Sequence, residues 1–248
     1  MVMLLGAFIG LAIGTTGIGG GLLAAPLLIL FFGVPPAQSV GTALLFSSAV
    51  KVNAALLYLY RRQVDLRTLP YMVAGGVPGA VFGSAVLERL HDSRDGLILT
   101  VIGATVLVSA GFGLLRFVRD PVRHRERPWL LLLLSFPIGV STGFSSAGAG
   151  ALGTVLLYSL SKLSPVAVVG TDLVFGLAVS VAGSLVHVTA GSWSRVVLFP
   201  LLASGVAGAC LGAWLAGVLP ARILRVTVLL WAMLLGAIVL HKGLGRGF

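Results

Sequence analysis

The sequence predicts an all-α polytopic membrane protein with about eight transmembrane segments in two homologous four-segment repeats. The first segment of each repeat is broken at a glycine-rich stretch. Three observations carry this prediction. The 248-residue chain is 58% hydrophobic and only 10% charged, whereas soluble domains carry about 25% charged residues. Its apolar runs recur at lengths near those a helix needs to cross a bilayer core of roughly 30 Å. Glycine-rich breaks interrupt two of these runs at corresponding places.

The first segment covers about 3–33 and breaks around 14–21, in "GTTGIGGG". No basic stretch precedes it, so it is expected to stay in the protein rather than act as a signal peptide. The next three segments are 39–60, 68–88 and 96–116. The basic linker "RFVRDPVRHRERP" follows. The fifth segment covers 129–162 and breaks near 143–150; the remaining three are 165–190, 195–217 and 221–241. A shift of 129 residues superposes the halves. Gly10, Gly14, Gly19, Gly21 and Gly41 fall on Gly139, Gly143, Gly148, Gly150 and Gly170, and Pro36 falls on Pro165. This is a tandem duplication: a first repeat over 1–116, a cytoplasmic linker over 117–128 and a second repeat over 129–248. Duplicated halves with broken helices at equivalent places are a pattern of secondary transporters.

The net charge of +10 does not imply nucleic acid. The basic residues lie in loops between apolar spans, where they set membrane orientation. The expected partners are the lipid bilayer and a small anion, with no nucleic acid. The loop "RRQVDLR" (61–67) and the linker carry most of the arginines and are expected in the cytoplasm. Two topologies fit this bias equally. If the first segment of each repeat crosses, there are eight spans, parallel repeats and cytoplasmic ends. If each is a re-entrant pair of half-helices, the repeats are inverted and both ends face outward. Span counting slightly favours the first. Cys210 is the sole cysteine; it excludes an internal disulfide and reads as a small packed hydrophobe.

Glycines in "GGVPGAVFG" (75–83) and "GVAGACLG" (205–212) read as close-packing seams. The denser stretches read as unwound backbone lining a cavity, the setting in which such backbone is tolerated at membrane depth. After each break a half-helix can begin, near residue 22 and near Ala151, with its positive dipole end aimed into the break. The candidate substrate-binding residues here are Gly19, Gly20, Gly21, Gly148 and Gly150. Nucleotide-binding motifs do not explain them, because no Gly-Lys-Ser/Thr follows. Thr42 and Thr171, in paired "VGT" motifs, are further candidates.

Lys51 and Asp172 complete the candidate set, because an ionisable residue inside a span is costly and usually faces a cavity or a partner. Lys51 could instead snorkel to an interface, and Asp172 could cap a helix. Their 129-residue counterparts are Ser180 and Ala43. A lone histidine such as His187 is more often structural than functional. No cofactor, metal or catalytic constellation is read, so an intramembrane enzyme is the weakest class. A carrier or channel for another solute or a cation, using Asp172, is the stronger competitor.

The stretch "GxxxGxxGIGGGxLxxPLL" from Gly10, with "VGTALLFSSAVK" and "VVGTDLVFG", resembles the TauE/SafE sulfite exporter family, also called the toluene sulfonate uptake permease family. The resemblance covers essentially the whole chain. It implies a multi-pass transporter of the cell (inner) membrane for small sulfur-containing anions such as sulfite or organosulfonates. Gly19, Gly20, Gly21, Pro26, Gly41, Thr42, Gly170 and Thr171 fall on the family motifs. Ala149 departs from the triple glycine in the second half.

Overall fold

A computed structural model describes residues 2–16, 20–90, 95–118, 128–215 and 221–246. Ten helices run in chain order: α1 (Val2–Thr16), α2 (Gly21–Phe31), α3 (Pro36–Tyr60), α4 (Leu69–Leu90), α5 (Asp95–Val118), α6 (Pro128–Ser145), α7 (Leu152–Leu160), α8 (Pro165–Ala190), α9 (Arg195–Leu215) and α10 (Ala221–Arg246). No strand occurs among the described residues. Seven helices (α3–α6 and α8–α10) are long and apolar enough to cross a membrane. Local chemistry sets several ends. Pro36 and Pro165 open α3 and α8, where their missing N–H costs nothing. Ser164 caps α8, and Gly191 closes it at φ 73.

Glycine contacts give the helix directions. Gly75, Gly79 and Gly83 of α4 meet Leu132, Phe136 and Val140 of α6 in rising order, so these helices run parallel. Gly6, Gly10 and Gly212 place α1 parallel to α9 in the same way. In α3 and α8 the order reverses: Gly41 meets Ser192, and Gly170 meets Tyr58 and Gln63. Gly103 against Leu240 and Gly113 against Leu229 make α5 and α10 antiparallel too. Gly76 against Phe175 and Gly183 against Ser84 make α4 parallel to α8.

These directions bear on the eight-segment expectation. Because α1 runs with α9, it runs with α3, and the short chain 32–35 joins α2 to α3. α2 therefore returns toward the side from which α1 came. α7 likewise returns: Thr154 at its start meets Asp172 well inside α8, while its end joins α8 through 161–164. Each broken segment therefore doubles back as a helical hairpin. Helices related by the 129-residue shift, α3 with α8 and α5 with α10, pack antiparallel. That relation requires a pseudo-axis perpendicular to the helices, and a parallel arrangement of halves would make them run together.

The core follows from this packing. Phe46 and Phe175, fully buried, fill the space between the hairpins and the long helices. Phe46 lies on Gly205 and Phe175 on Gly76, so the glycines admit a ring as well as a backbone. Outward-facing Leu, Phe and Trp side chains, such as Phe199 and Trp214, remain exposed, as a lipid-facing surface requires.

Candidate functional site

The centre of the bundle lies where α3 crosses α8. Lys51 is 3% exposed, and its ammonium donates to the Ser180 hydroxyl at 3.5 Å. These two residues are counterparts under the 129-residue shift, so Lys51 sits on the pseudo-axis. A cavity of about 360 Å³ leads from Lys51 along α3 past Tyr58 to Arg61 and Gln63. It opens toward the face that carries the 61–68 loop. Arg225 of α10 and Cys210 of α9 also line it. Three cationic residues line this cavity and no acidic one does. Cys210 is exposed to it and is not the packed hydrophobe expected.

A hydrogen-bonded cluster lies toward the opposite face. His187 is fully buried with Nδ1 against Glu88 Oε1, and Ser192 donates to Glu88 Oε2 at 2.6 Å. His187 Nε2 lies 3.5 Å from the Gly143 carbonyl, which ties α4, α6, α8 and the α8–α9 turn together. The 129-residue counterparts of His187 and Ser192 are Tyr58 and Gln63, which line the open cavity. Equivalent positions thus line a cavity at one face and bond to Glu88 at the other.

Asp172 is 3% exposed but does not reach the Lys51 ammonium as a direct ion pair among the described residues. Each nevertheless feels the charge of the other. The Thr154 hydroxyl donates to Asp172 Oδ2 at 2.7 Å, and the Gly150 backbone N–H points at the same carboxylate. Asp172 Oδ1 has no hydrogen-bond partner among the described residues. The carboxylate sits at the N-terminus of α7, where negative charge is favoured. That helix end, expected to meet a substrate anion, therefore already faces a carboxyl group of the protein. In the first repeat Ala25 and Ala43 replace Thr154 and Asp172, and both are buried.

The glycine breaks form the junction between the hairpins. Gly21 packs on Ser146, where any Cβ would collide with backbone. Ser146, Gly148 and Gly150 take φ values of 61, 136 and 103, a left-handed run that unwinds the chain. The Thr142 hydroxyl accepts from the Ala149 N–H at 2.9 Å and steadies the turn. Gly20 precedes α2 and packs on Ile13. Gly19 lies outside the described residues.

Thr42 and Thr171 hold matching latches and are not among the residues lining the cavity. Thr42 Oγ1 accepts the Ser194 N–H at 3.0 Å, and Thr171 Oγ1 accepts the Asp65 N–H at 2.9 Å. Gly41 and Gly170 beside them let the same turns approach. Each "VGT" motif thus pins the inter-helix turn of the other half. Thr42→Val and Thr171→Val should each cost about 1–3 kcal/mol by stranding a buried N–H. Anion affinity should stay unchanged, as thermal unfolding and binding measurements will check. A large affinity loss at unchanged stability would instead put the hydroxyls in the binding site.

Sequence reasoning singled out Lys51 and Asp172. It passed over Arg225, which reads as an interfacial charge near the start of a span, and over Glu88, whose partner is 99 residues away.

A multi-pass helical bundle that opens at one face to a cationic cavity ending at a central lysine is built as a membrane transporter. The chain belongs to the sulfite exporter TauE/SafE family, whose model matches residues 2–239. It is similar to the probable membrane transporter protein YjnA of Bacillus subtilis, at 25% identity over 86% of this chain and 89% of that protein. The probable membrane transporter protein YtnM of the same organism is 30% identical over 84% of this chain and 73% of its own length. A probable membrane transporter protein of Haemophilus influenzae is 25% identical over 79% and 76% of the two chains. No solved structure matches the chain.

Proposed function

We propose that the protein is a secondary carrier or uniporter of the cell membrane for small sulfur-containing anions such as sulfite or organosulfonates. The observation that carries this reading is the cavity itself, lined by Lys51, Arg61 and Arg225 with no acid among its lining residues. A cation pathway would place acidic groups along that wall, and Asp172 stands behind it, bonded to α7. Oxyanions of sulfur offer several acceptor oxygens to such donors. The family supplies the sulfur chemistry, and the cavity supplies the sign of the charge.

The helix directions support two inverted repeats, 1–116 and 129–248, joined by the 117–128 linker, of which 119–127 lie outside the described residues. With the arginine-rich loops in the cytoplasm, α1 begins and α10 ends outside, and the Lys51 cavity faces inward. Alternation between this inward-open state and an outward-open one then moves the anion. A reporter fused at the C-terminus is expected to register the external side. A cytoplasmic signal would return the topology to eight crossings.

Radiolabelled sulfite flux in reconstituted vesicles tests the substrate. The expected result is saturable uptake competed by methanesulfonate and unaffected by alkali cations. Cation flux without sulfite flux would favour the competing class.

A further inference from the structure

Arg225 combines three features that the anion reading does not by itself require. Its side chain lines the cavity, on the wall formed by α10. Its Nε is buried and has no hydrogen-bond partner. None of its other guanidinium nitrogens has a hydrogen bond or ion pair among the described residues either. A guanidinium carries five N–H donors in a planar fork. Arg225 is half-buried, and leaving its buried Nε donor without an acceptor is unfavourable, so the arrangement points to an acceptor supplied from outside the chain. Lys51 is in the same state to a lesser degree, since its one bond to Ser180 is long at 3.5 Å.

The mirror position sharpens this. The 129-residue counterpart of Arg225 is Gly96, and that of Lys51 is Ser180. Both cations therefore break the pseudo-symmetry, and both line one cavity. Two independent departures from the repeat have converged on one place. The chemistries of the two cations differ. An ammonium is a compact point charge, whereas a guanidinium matches two oxygens of one oxyanion at once.

We propose that Arg225 is a second, specificity-determining anion ligand, which grips two oxygens of an oxyanion that Lys51 holds from the far side. This rests on the anion-transport reading and adds to it a selection for oxyanions over spherical halides. The Asp172 carboxylate behind the site also attracts Arg225.

Cys210 provides a test that does not depend on transport, because this sole cysteine is exposed in the same cavity. Labelling of Cys210 by a small maleimide is followed in purified protein while methanesulfonate or chloride is titrated. Methanesulfonate is expected to slow labelling, and chloride to do so far more weakly. In Arg225→Gln the methanesulfonate concentration for half-protection should rise about 10- to 100-fold. Arg225→Lys should keep the charge yet lose most of the preference for methanesulfonate over chloride. Gly111→Ala, where an added Cβ meets nothing within 4 Å, serves as the control with unchanged protection.

Protection in Arg225→Gln equal to wild type would overturn the role of Arg225. So would full methanesulfonate preference in Arg225→Lys. Absence of protection in the wild type would overturn it as well. If sulfite still crosses vesicles in that last case, the transport reading survives and only the ligand assignment falls; if it does not, both fall together.

Discussion

Lys51→Met is expected to lower sulfite flux by about 100-fold, since losing a charged hydrogen bond to the anion costs about 1.5–3 kcal/mol and each 1.4 kcal/mol is tenfold. Lys51 is 3% exposed at the inner end of the cavity and sits on the pseudo-axis against Ser180. No other described residue places an ammonium there. Asp172→Asn should reduce flux less, because Asp172 lies behind the wall and is held by Thr154. The two charges act on each other across the site. Lys51→Met leaves the carboxylate without its nearest compensating charge, so the double variant should be more stable than Lys51→Met alone. A coupling of roughly 0.5–3 kcal/mol is expected across that cycle. Thermal unfolding and vesicle flux of the four proteins give the answer. Strict additivity would show that the two residues do not communicate.

Gly79→Leu is expected to prevent folding, a larger structural effect than Gly20→Leu in the first glycine break. Gly79 of α4 presses directly on the Phe136 carbonyl of α6, with Gly75 and Gly83 making the same approach one turn away on either side. Added methylenes in a well-packed interior cost typically about 1–3 kcal/mol, and here the obstacle is backbone that has nowhere to go. Gly111→Leu is the control, because a Cβ there meets nothing within 4 Å. Its folded yield should match or exceed that of the wild type, given the poor helix propensity of glycine. Equal yields for both variants on size-exclusion chromatography would contradict the seam. The same logic makes Gly20→Leu milder than Gly79→Leu in its effect on folding, since Gly20 faces the flexible end of Ile13.

Much of this architecture is legible in the sequence, for physical reasons that can be stated. Long apolar runs report spans because the bilayer sets their length. The seams at 75–83 and 205–212 are legible because only small residues allow such approach. Lys51 stands out because a charge in a span needs a cavity or a partner. The direction of α2 and α7 is not legible. A run of glycines says that the helix stops, but the angle at which it resumes depends on φ values such as 136 at Gly148 and 103 at Gly150. Charge bias gave no help, since both topologies distribute the arginines alike.

The threonines show a second limit. A hydroxyl beside a glycine in a transporter looks like a ligand for substrate, but the partners of Thr42 and Thr171 are backbone N–H groups 152 and 106 residues away. Asp172 shows a third. Capping is one of the readings its sequence context allows, yet the helix it serves is α7 and not its own. Cys210 and Arg225 resemble a packing residue and an interfacial charge until the tertiary fold turns both toward one cavity.

The most direct test of the account is a structure of the protein with selenite, an electron-dense relative of sulfite. The account predicts anomalous density in the cavity, with oxygens about 3 Å from Lys51 Nζ and from the Arg225 guanidinium. Density at the α2 or α7 N-terminus instead, with the Lys51 cavity empty in a protein that transports sulfite, would contradict it.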